Sequence, residues 1–357
     1  MDKLTYYITA LHKARNFADR ITPFSRIIAP ILGAIAAFTI GGILIALNRV
    51  NPLQAYLVMI TGAFGGSRQL TETILKATPL LIIGLGLTIA FRAKVWNIGA
   101  EGQYYIGALF GSIVALTFPN LSPWVLIPLI LIAGIIGGMV WSGLAVILYI
   151  KRGVNIIIST LMLNYIAVLL IKYITRVPLR DPNGFLPQSA QFSSAAQIST
   201  IFGTRLHLGI ILALLLVGFV YILLWRTPLG FKLRAVGYRA SVARATGMNV
   251  NRSILTALML SGGLAGIAGI IEVSYTETRL KGIISPGYGF SAILVALMGQ
   301  LHPVGVLIAA ILFSALTIGA EGLQVSLQVP AAVAQVIQSL VVLFVIMGDA
   351  IAKRIKS

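Results

Sequence analysis

Cysteine is absent from this 357-residue chain. That excludes disulfide staples and thiolate metal sites, and leaves the compartment open on those grounds. Acidic residues are almost as scarce, with 9 Asp and Glu against 27 Lys and Arg. The three histidines, His12, His207 and His302, have no partners at metal-ligand spacing, so no metal site is expected. No GxxxxGK[ST] phosphate loop occurs, so the chain does not bind ATP in that manner. HExxH, GxSxG and paired carboxylates are missing too, so no catalytic residue is assigned and the chain does not read as an enzyme. Residues 1–25 are polar and basic without an apolar core, so no cleaved signal peptide is expected. Charge of either sign is only 10% of the sequence, too little to keep the surface of a soluble protein wet.

What fills the chain instead is hydrocarbon. Apolar residues make up 58%, and runs near the length of a bilayer crossing recur from end to end. The pattern predicts an all-α polytopic transmembrane bundle of about ten spans: 27–47, 76–93, 98–118, 123–149, 154–175, 207–225, 253–271, 286–300, 303–322 and 330–351. The spans at 76–93 and 286–300 are short and glycine-rich, which leaves open whether they cross fully. The apolar stretch 52–64 reads as an interfacial segment outside.

The net charge of +18 would suggest nucleic acid in a soluble chain. Here the basic residues are split among short loops, so retention of cytoplasmic loops explains them and no nucleic-acid partner is expected. With the N-terminus inside, 18 of the 27 basic residues fall in cytoplasmic segments. An even number of spans returns the C-terminus inside, beside Lys353, Arg354 and Lys356.

Three regions follow. Residues 1–26 form a cytoplasmic segment in which Leu4, Tyr7, Ile8, Leu11 and Ala14 recur at helical spacing, either a helix lying on membrane lipid or a frayed basic tail. Residues 27–351 form the membrane domain, with a polar outer connection at 176–206 and a basic inner connection at 226–252. Residues 352–357 are a cytoplasmic tail. The two halves share a weak similarity: each has a short glycine-rich span followed by a polar break.

The inner connection carries six basic residues and no acidic one. Tyr238 to Thr246 reads as a short helix with Gly237 before it and Gly247 at the position of a left-handed C-cap. Such a helix suits docking into a groove on another protein. An ordinary positive loop touching anionic lipid stays equally open.

The connection Arg92-Ala-Lys-Val-Trp-Asn-Ile-Gly-Ala-Glu-Gly-Gln103 places Asn97, Glu101 and Gln103 at the start of a span. A carboxylate beside hydrocarbon is paired or functional, and Arg92 and Lys94 are the candidate partners. The alternative is a structural helix entry, with Glu101 favoured by the helix dipole. Gly99 and Gly102 permit a sharp backbone path and close helix contact. Asn164 and Tyr165 are candidate pathway residues, with interhelical hydrogen bonding the alternative. Further along, Gly262, Gly263, Gly266 and Gly269 read as a close helix-packing face rather than a phosphate loop, because they lie in an apolar span.

Several of these stretches resemble a known family. VWNIGAEGQYYIGA (Val95–Ala108), GVNIIISTLMLNYIA (Gly153–Ala167), GFKLRAVGYRASVARATGMNV, SGGLAGIAG and GYGFSAILVALMGQLHPVG (Gly287–Gly305) follow in order the signature of permease subunits of bacterial ABC importers for nucleosides and simple sugars. The resemblance covers about residues 75 to 350. One departure is Ile156, where the family usually has an acidic residue.

The resemblance implies a multi-pass permease of the bacterial inner membrane that holds no cofactor of its own. ATP and Mg would be bound by a partner cytoplasmic ATPase. An extracytoplasmic substrate-binding protein would deliver the solute. The ending in Gln103 implies a second, different permease chain as partner. The ATPase would grip Gly230, Arg234, Gly237, Arg239, Ala240, Arg244 and Gly247. A lone secondary transporter or channel for a small polar solute is the alternative. It would call for intramembrane carboxylates placed for ion coupling, and only Glu101 and Glu321 qualify.

Overall fold

The computed structural model describes residues 32–201 and 205–354. The amphipathic stretch expected before residue 27 and the last three residues lie outside them. Among the described residues the chain is helical, with only isolated β-bridges between Gln188 and Lys281 and between Thr200 and His207. Seven helices are long and apolar enough to cross a membrane, or eight if one bent pair counts as a single span.

That bent pair is α1 (Leu32–Leu47) and α2 (Pro52–Phe64), which meet at 113°. Pro52 cannot continue a helix from α1 but suits the first turn of a new one, and the Asn51 side chain caps it by accepting from Leu53 N–H. The stretch expected as an interfacial segment is thus a regular helix.

Next come α3 (Ser67–Arg92), α4 (Ala100–Thr117), α5 (Pro123–Arg152), α6 (Ile156–Ile174) and α7 (Leu208–Arg226). They are followed by the short α8 (Pro228–Tyr238) and α9 (Ala240–Ala245), then α10 (Val250–Glu272), α11 (Tyr288–Met298), α12 (Pro303–Leu327) and α13 (Ala331–Arg354). The expectation of a short span at 76–93 is corrected. α3 has 26 residues, about 39 Å at 1.5 Å per residue, because Ser67–Lys76 extend the same helix at its N-terminal end. The expectation for 286–300 agrees with α11, which has 11 residues and is about 16 Å long.

Two compact units divide the chain. In one, the described residues before Leu70 pack with those from Ala315 onward. Its core is Ile45, Ala55, Met59, Leu323, Val329, Ala334 and Ile337. The Tyr56 hydroxyl donates to the Phe38 carbonyl, and Gln338 Nε2 donates to Thr317 Oγ1 at 2.9 Å.

The other unit, Leu70–Ser314, is built around α4, α5 and α10. These helices approach at backbone distance. A Cβ added at Gly138 would lie 2.0 Å from the Gly262 carbonyl oxygen, and one at Gly266 would lie 2.1 Å from that of Gly134. One at Gly269 would lie 2.1 Å from the Tyr104 carbonyl oxygen. Only residues without a side chain allow this contact. Gly263 faces the Met139 side chain with more room, its nearest atom at 3.1 Å.

Outside the helices, the long connection after α6 is not free. Ser189 N–H donates to Leu280 O, Phe192 N–H to Thr278 O and Ile198 N–H to Ser274 O. Arg279 holds Asp181 at 3.1 Å. The connection after α6 and the segment after α10 thus form one platform.

Candidate functional site

The site begins where α3 stops. Val95 N–H donates to Ala90 O and Lys94 N–H to Phe91 O, with Lys94 left-handed at φ 53°. This double bond pattern closes α3 and turns the chain back on itself. From Ala93 to Asn97 burial alternates, placing Val95 and Asn97 inward and Lys94 and Trp96 outward.

Asn97 is fully buried. Its Oδ1 accepts from Gly99 N–H at 2.9 Å and from Gln103 Nε2 at 3.0 Å. Its Nδ2 donates to Gln103 Oε1 at 2.8 Å and to Ser261 Oγ at 3.0 Å. Ser261 lies midway along α10, so α4 starts inside the bundle and not at a membrane face.

A helix that begins in a dry place must have its first N–H groups met. Gly99, the N-cap, has no side chain to do it. Asn164 of α6 does it instead. Its Oδ1 accepts from Gly102 N–H at 2.7 Å, and its Nδ2 donates to Ile98 O at 2.7 Å. A Cβ at Gly102 would lie 2.9 Å from Asn164 Cα, and one at Gly99 would lie 2.9 Å from Thr160 Cβ. Asn97, Gly99, Gly102, Gln103 and Asn164 thus form one network. Tyr165, one residue on, points away and is 60% exposed.

Replacing Asn97 with alanine strands Gln103, Gly99 N–H and Ser261 at once. At about 1–3 kcal/mol per stranded buried group, the loss is of the order of several kcal/mol. A marked drop in the thermal melting temperature of the detergent-purified chain is the expected result, and an unchanged value would contradict the network.

Glu101 is buried, and neither Arg92 nor Lys94 is its partner. Its Oε2 accepts from Gly289 N–H at 2.5 Å, at the first turn of α11. It is also hydrogen-bonded to Ser285. Ser285 Oγ in turn accepts from Gly287 N–H at 3.0 Å and Tyr288 N–H at 2.8 Å. Gly287 is left-handed at φ 101°, which directs the chain into α11. Arg92 reaches elsewhere: Nε donates to Leu301 O at 2.9 Å and Nη2 to Gln300 O at 3.3 Å, and the guanidinium lies 5.3 Å from the Trp225 ring. No sequence signal pairs residues 101 and 289, because the contact joins positions far apart in the chain.

The inner connection also departs from expectation. The helix expected over Tyr238–Thr246 is α9, Ala240–Ala245, and a second helix, α8, precedes it. Thr227 Oγ1 caps α8 by accepting from Gly230 N–H at 3.1 Å. Arg239 is extended between the helices, with φ −156° and ψ 98°. Gly237 is not a cap but a buried α8 residue, where a Cβ would lie 2.0 Å from the Arg92 carbonyl oxygen. Gly247 is left-handed at φ 83° and closes α9. Gly230 is buried against the end of α7, and Arg234 is partly buried. Arg239, Ala240 and Arg244 stand on the exposed side with Tyr238 and Val242.

These features define a polytopic helical membrane protein whose buried polar site is made where two helices begin inside the bundle. A family model described as the permease component of branched-chain amino acid transport systems matches residues 69–346. The chain belongs to that family of ABC transporter permeases, and is a multi-pass protein of the plasma membrane. A glucose ABC transporter permease of Haloferax volcanii is 36% identical to it, over 90% of this chain and 87% of the relative. A guanosine ABC transporter permease of Bacillus subtilis is 32% identical over 92% and 95%. A nucleoside ABC transporter permease of Lactococcus lactis subsp. cremoris is 27% identical over 90% and 90%.

Proposed function

We propose that this chain is the permease half of an ATP-driven importer for a nucleoside or related simple sugar. The observation that carries the solute class is the end-to-end match to permeases named for guanosine, nucleosides and glucose. A separate cytoplasmic ATPase binds ATP and Mg. An extracytoplasmic binding protein delivers the solute, and a second, different permease chain completes the path.

In this reading the chain crosses ten times, through α1, α3–α7 and α10–α13, the short α11 completing its crossing with the turns that flank it, and both termini are inside. The cytoplasmic residues 1–26, the membrane domain 27–351 and the tail 352–357 keep their assigned sides. α8 and α9 then lie inside, and the platform made of 176–206 and 273–284 lies outside. The exposed face of α9 and the α8–α9 junction, with Tyr238, Arg239, Val242 and Arg244, combines apolar area and positive charge, which suits docking on a protein groove. Gly230, Arg234 and Gly237 support that face from behind. The Asn97–Gln103 network with Asn164 shapes the path at mid-depth. Tyr165 faces outward, toward the partner permease or lipid. The glycine face of α10 joins α8 and α9 to the network rigidly.

Reconstitution in liposomes with candidate ATPase, permease and binding-protein partners tests the reading. Nucleoside uptake is expected only with the binding protein present and ATP hydrolysed. Uptake by this chain alone, driven by an ion gradient, would replace the reading with a secondary transporter.

A further inference from the structure

α11 is about 16 Å long, roughly half the ~30 Å hydrocarbon thickness of a bilayer. Its N-terminus lies against buried Glu101, where unmet N–H groups are costly, and its C-terminal turn lies beside Arg92. Each end is met by an ionisable side chain. At the N-terminus the Glu101 carboxylate accepts from Gly289 N–H. Past the C-terminus the chain turns through two left-handed residues, Gln300 at φ 53° and Leu301 at φ 54°. Arg92 donates to the carbonyls of both. An acid at the helix N-terminus and a base at its C-terminus match the helix dipole.

Both of these groups come from one short stretch. Arg92 ends α3 and Glu101 opens α4, so the connection between those helices grips α11 at both ends. The grip is tight at the Glu101 end, where a Cβ on Gly289 would lie 2.2 Å from Glu101 N.

We propose that Arg92 and Glu101 are positioning residues that bracket α11, so that α11 and the 92–101 connection move as one body during transport. The proposal rests on the importer reading for its driving force. Both partner-facing regions reach this body. From the platform, Ile284 is held by Tyr104 and Tyr105: the Tyr104 hydroxyl donates to Ile284 O at 3.2 Å, and Ile284 N–H donates to Tyr105 OH at 3.3 Å. From the other side, α8 rests on the Arg92 backbone through Gly237, and Trp225 of α7 lies beside the Arg92 guanidinium. A displacement of α8 therefore reaches Arg92 through backbone contact, with no flexible side chain between them.

The absence of cysteine makes a direct test practical. Spin labels are placed on Lys94→Cys and Leu294→Cys, both exposed, and on Ile136→Cys of α5 as a reference. Distances are measured in the full transport complex in lipid, nucleotide-free and vanadate-trapped. The 94–294 distance is expected to stay constant while the 294–136 distance shifts. With Glu101→Ala the 94–294 distribution is expected to broaden and solute imported per ATP hydrolysed to fall. Glu101→Gln, which keeps an acceptor for Gly289 N–H, is expected to restore the narrow distribution in part.

A 94–294 distance that changes as much as 294–136 overturns the bracket and leaves the importer reading standing. So does a 294–136 distance that never changes in a complex that transports. A constant 94–294 distance in a complex without ATP-driven uptake removes the importer reading and leaves the bracket.

Discussion

Replacing Gly266 with leucine is expected to abolish the folded chain. A methyl at this position already falls 2.1 Å from the Gly134 carbonyl oxygen, far inside contact distance. Gly107 presses on the same residue from α4: its own Cβ would lie 2.1 Å from Gly266 Cα. Neither neighbour is a side chain that can turn aside. Relief requires α4, α5 and α10 to separate along their length. Overpacking a core costs about 1–3 kcal/mol where side chains can yield, so a backbone-limited site sits at or above the top of that range. Against a total stability of about 5–15 kcal/mol, Gly266→Leu is expected to remove the monodisperse peak on detergent size-exclusion chromatography. Gly266→Ala is expected to leave a reduced peak with a lowered melting temperature. Gly218, which has nothing within 4 Å of its added Cβ, is the internal control. Gly218→Ala is expected to behave as the parent, and a Gly266→Leu chain that does likewise would contradict the close packing.

The second large effect is expected at α9. Reversing both exposed charges, Arg239→Glu with Arg244→Glu, should weaken association with the ATPase by at least about tenfold, since ~1.4 kcal/mol suffices for that factor. The pair is chosen from exposure. Arg234 is partly buried, so its reversal would disturb α8 as well as any partner. Arg239 stands clear at the break between α8 and α9, and Arg244 stands clear on α9. The loss should be read by pull-down or fluorescence anisotropy of labelled ATPase on permease in nanodiscs. The permease melting temperature should stay unchanged, because neither side chain contributes to the core. Undiminished binding by the double variant would place the ATPase contact elsewhere.

Much of the chemistry is legible along the chain itself. Lack of charge, recurring apolar runs and the asymmetry of basic loops lead to a helical membrane protein, since water and hydrocarbon select residues one position at a time. Pro52 marks the break between α1 and α2, and Gly247 marks the end of α9, because both act on their own backbone. The Asn97–Gln103 stretch and the glycines of α10 stand out for the same reason: polar and small residues are unusual in an apolar run.

What folding decides is who meets whom, and at what depth. Arg92 and Glu101 read as a candidate pair, yet they hold opposite ends of α11. Gly237 reads as the residue leading into a short helix, yet it lies under the Arg92 carbonyl. Asn164 and Tyr165 are neighbours in sequence, but one seals the start of α4 while the other faces out. Such assignments depend on contacts across 62 to 209 residues, which local propensity does not encode. The sequence by itself determined the solvent, the helices and the residues too polar to be idle. The tertiary structure alone placed the start of α4 at mid-bundle and gave Glu101 its partner, because a helix end away from water takes its hydrogen bonds from whatever backbone the packing brings to it.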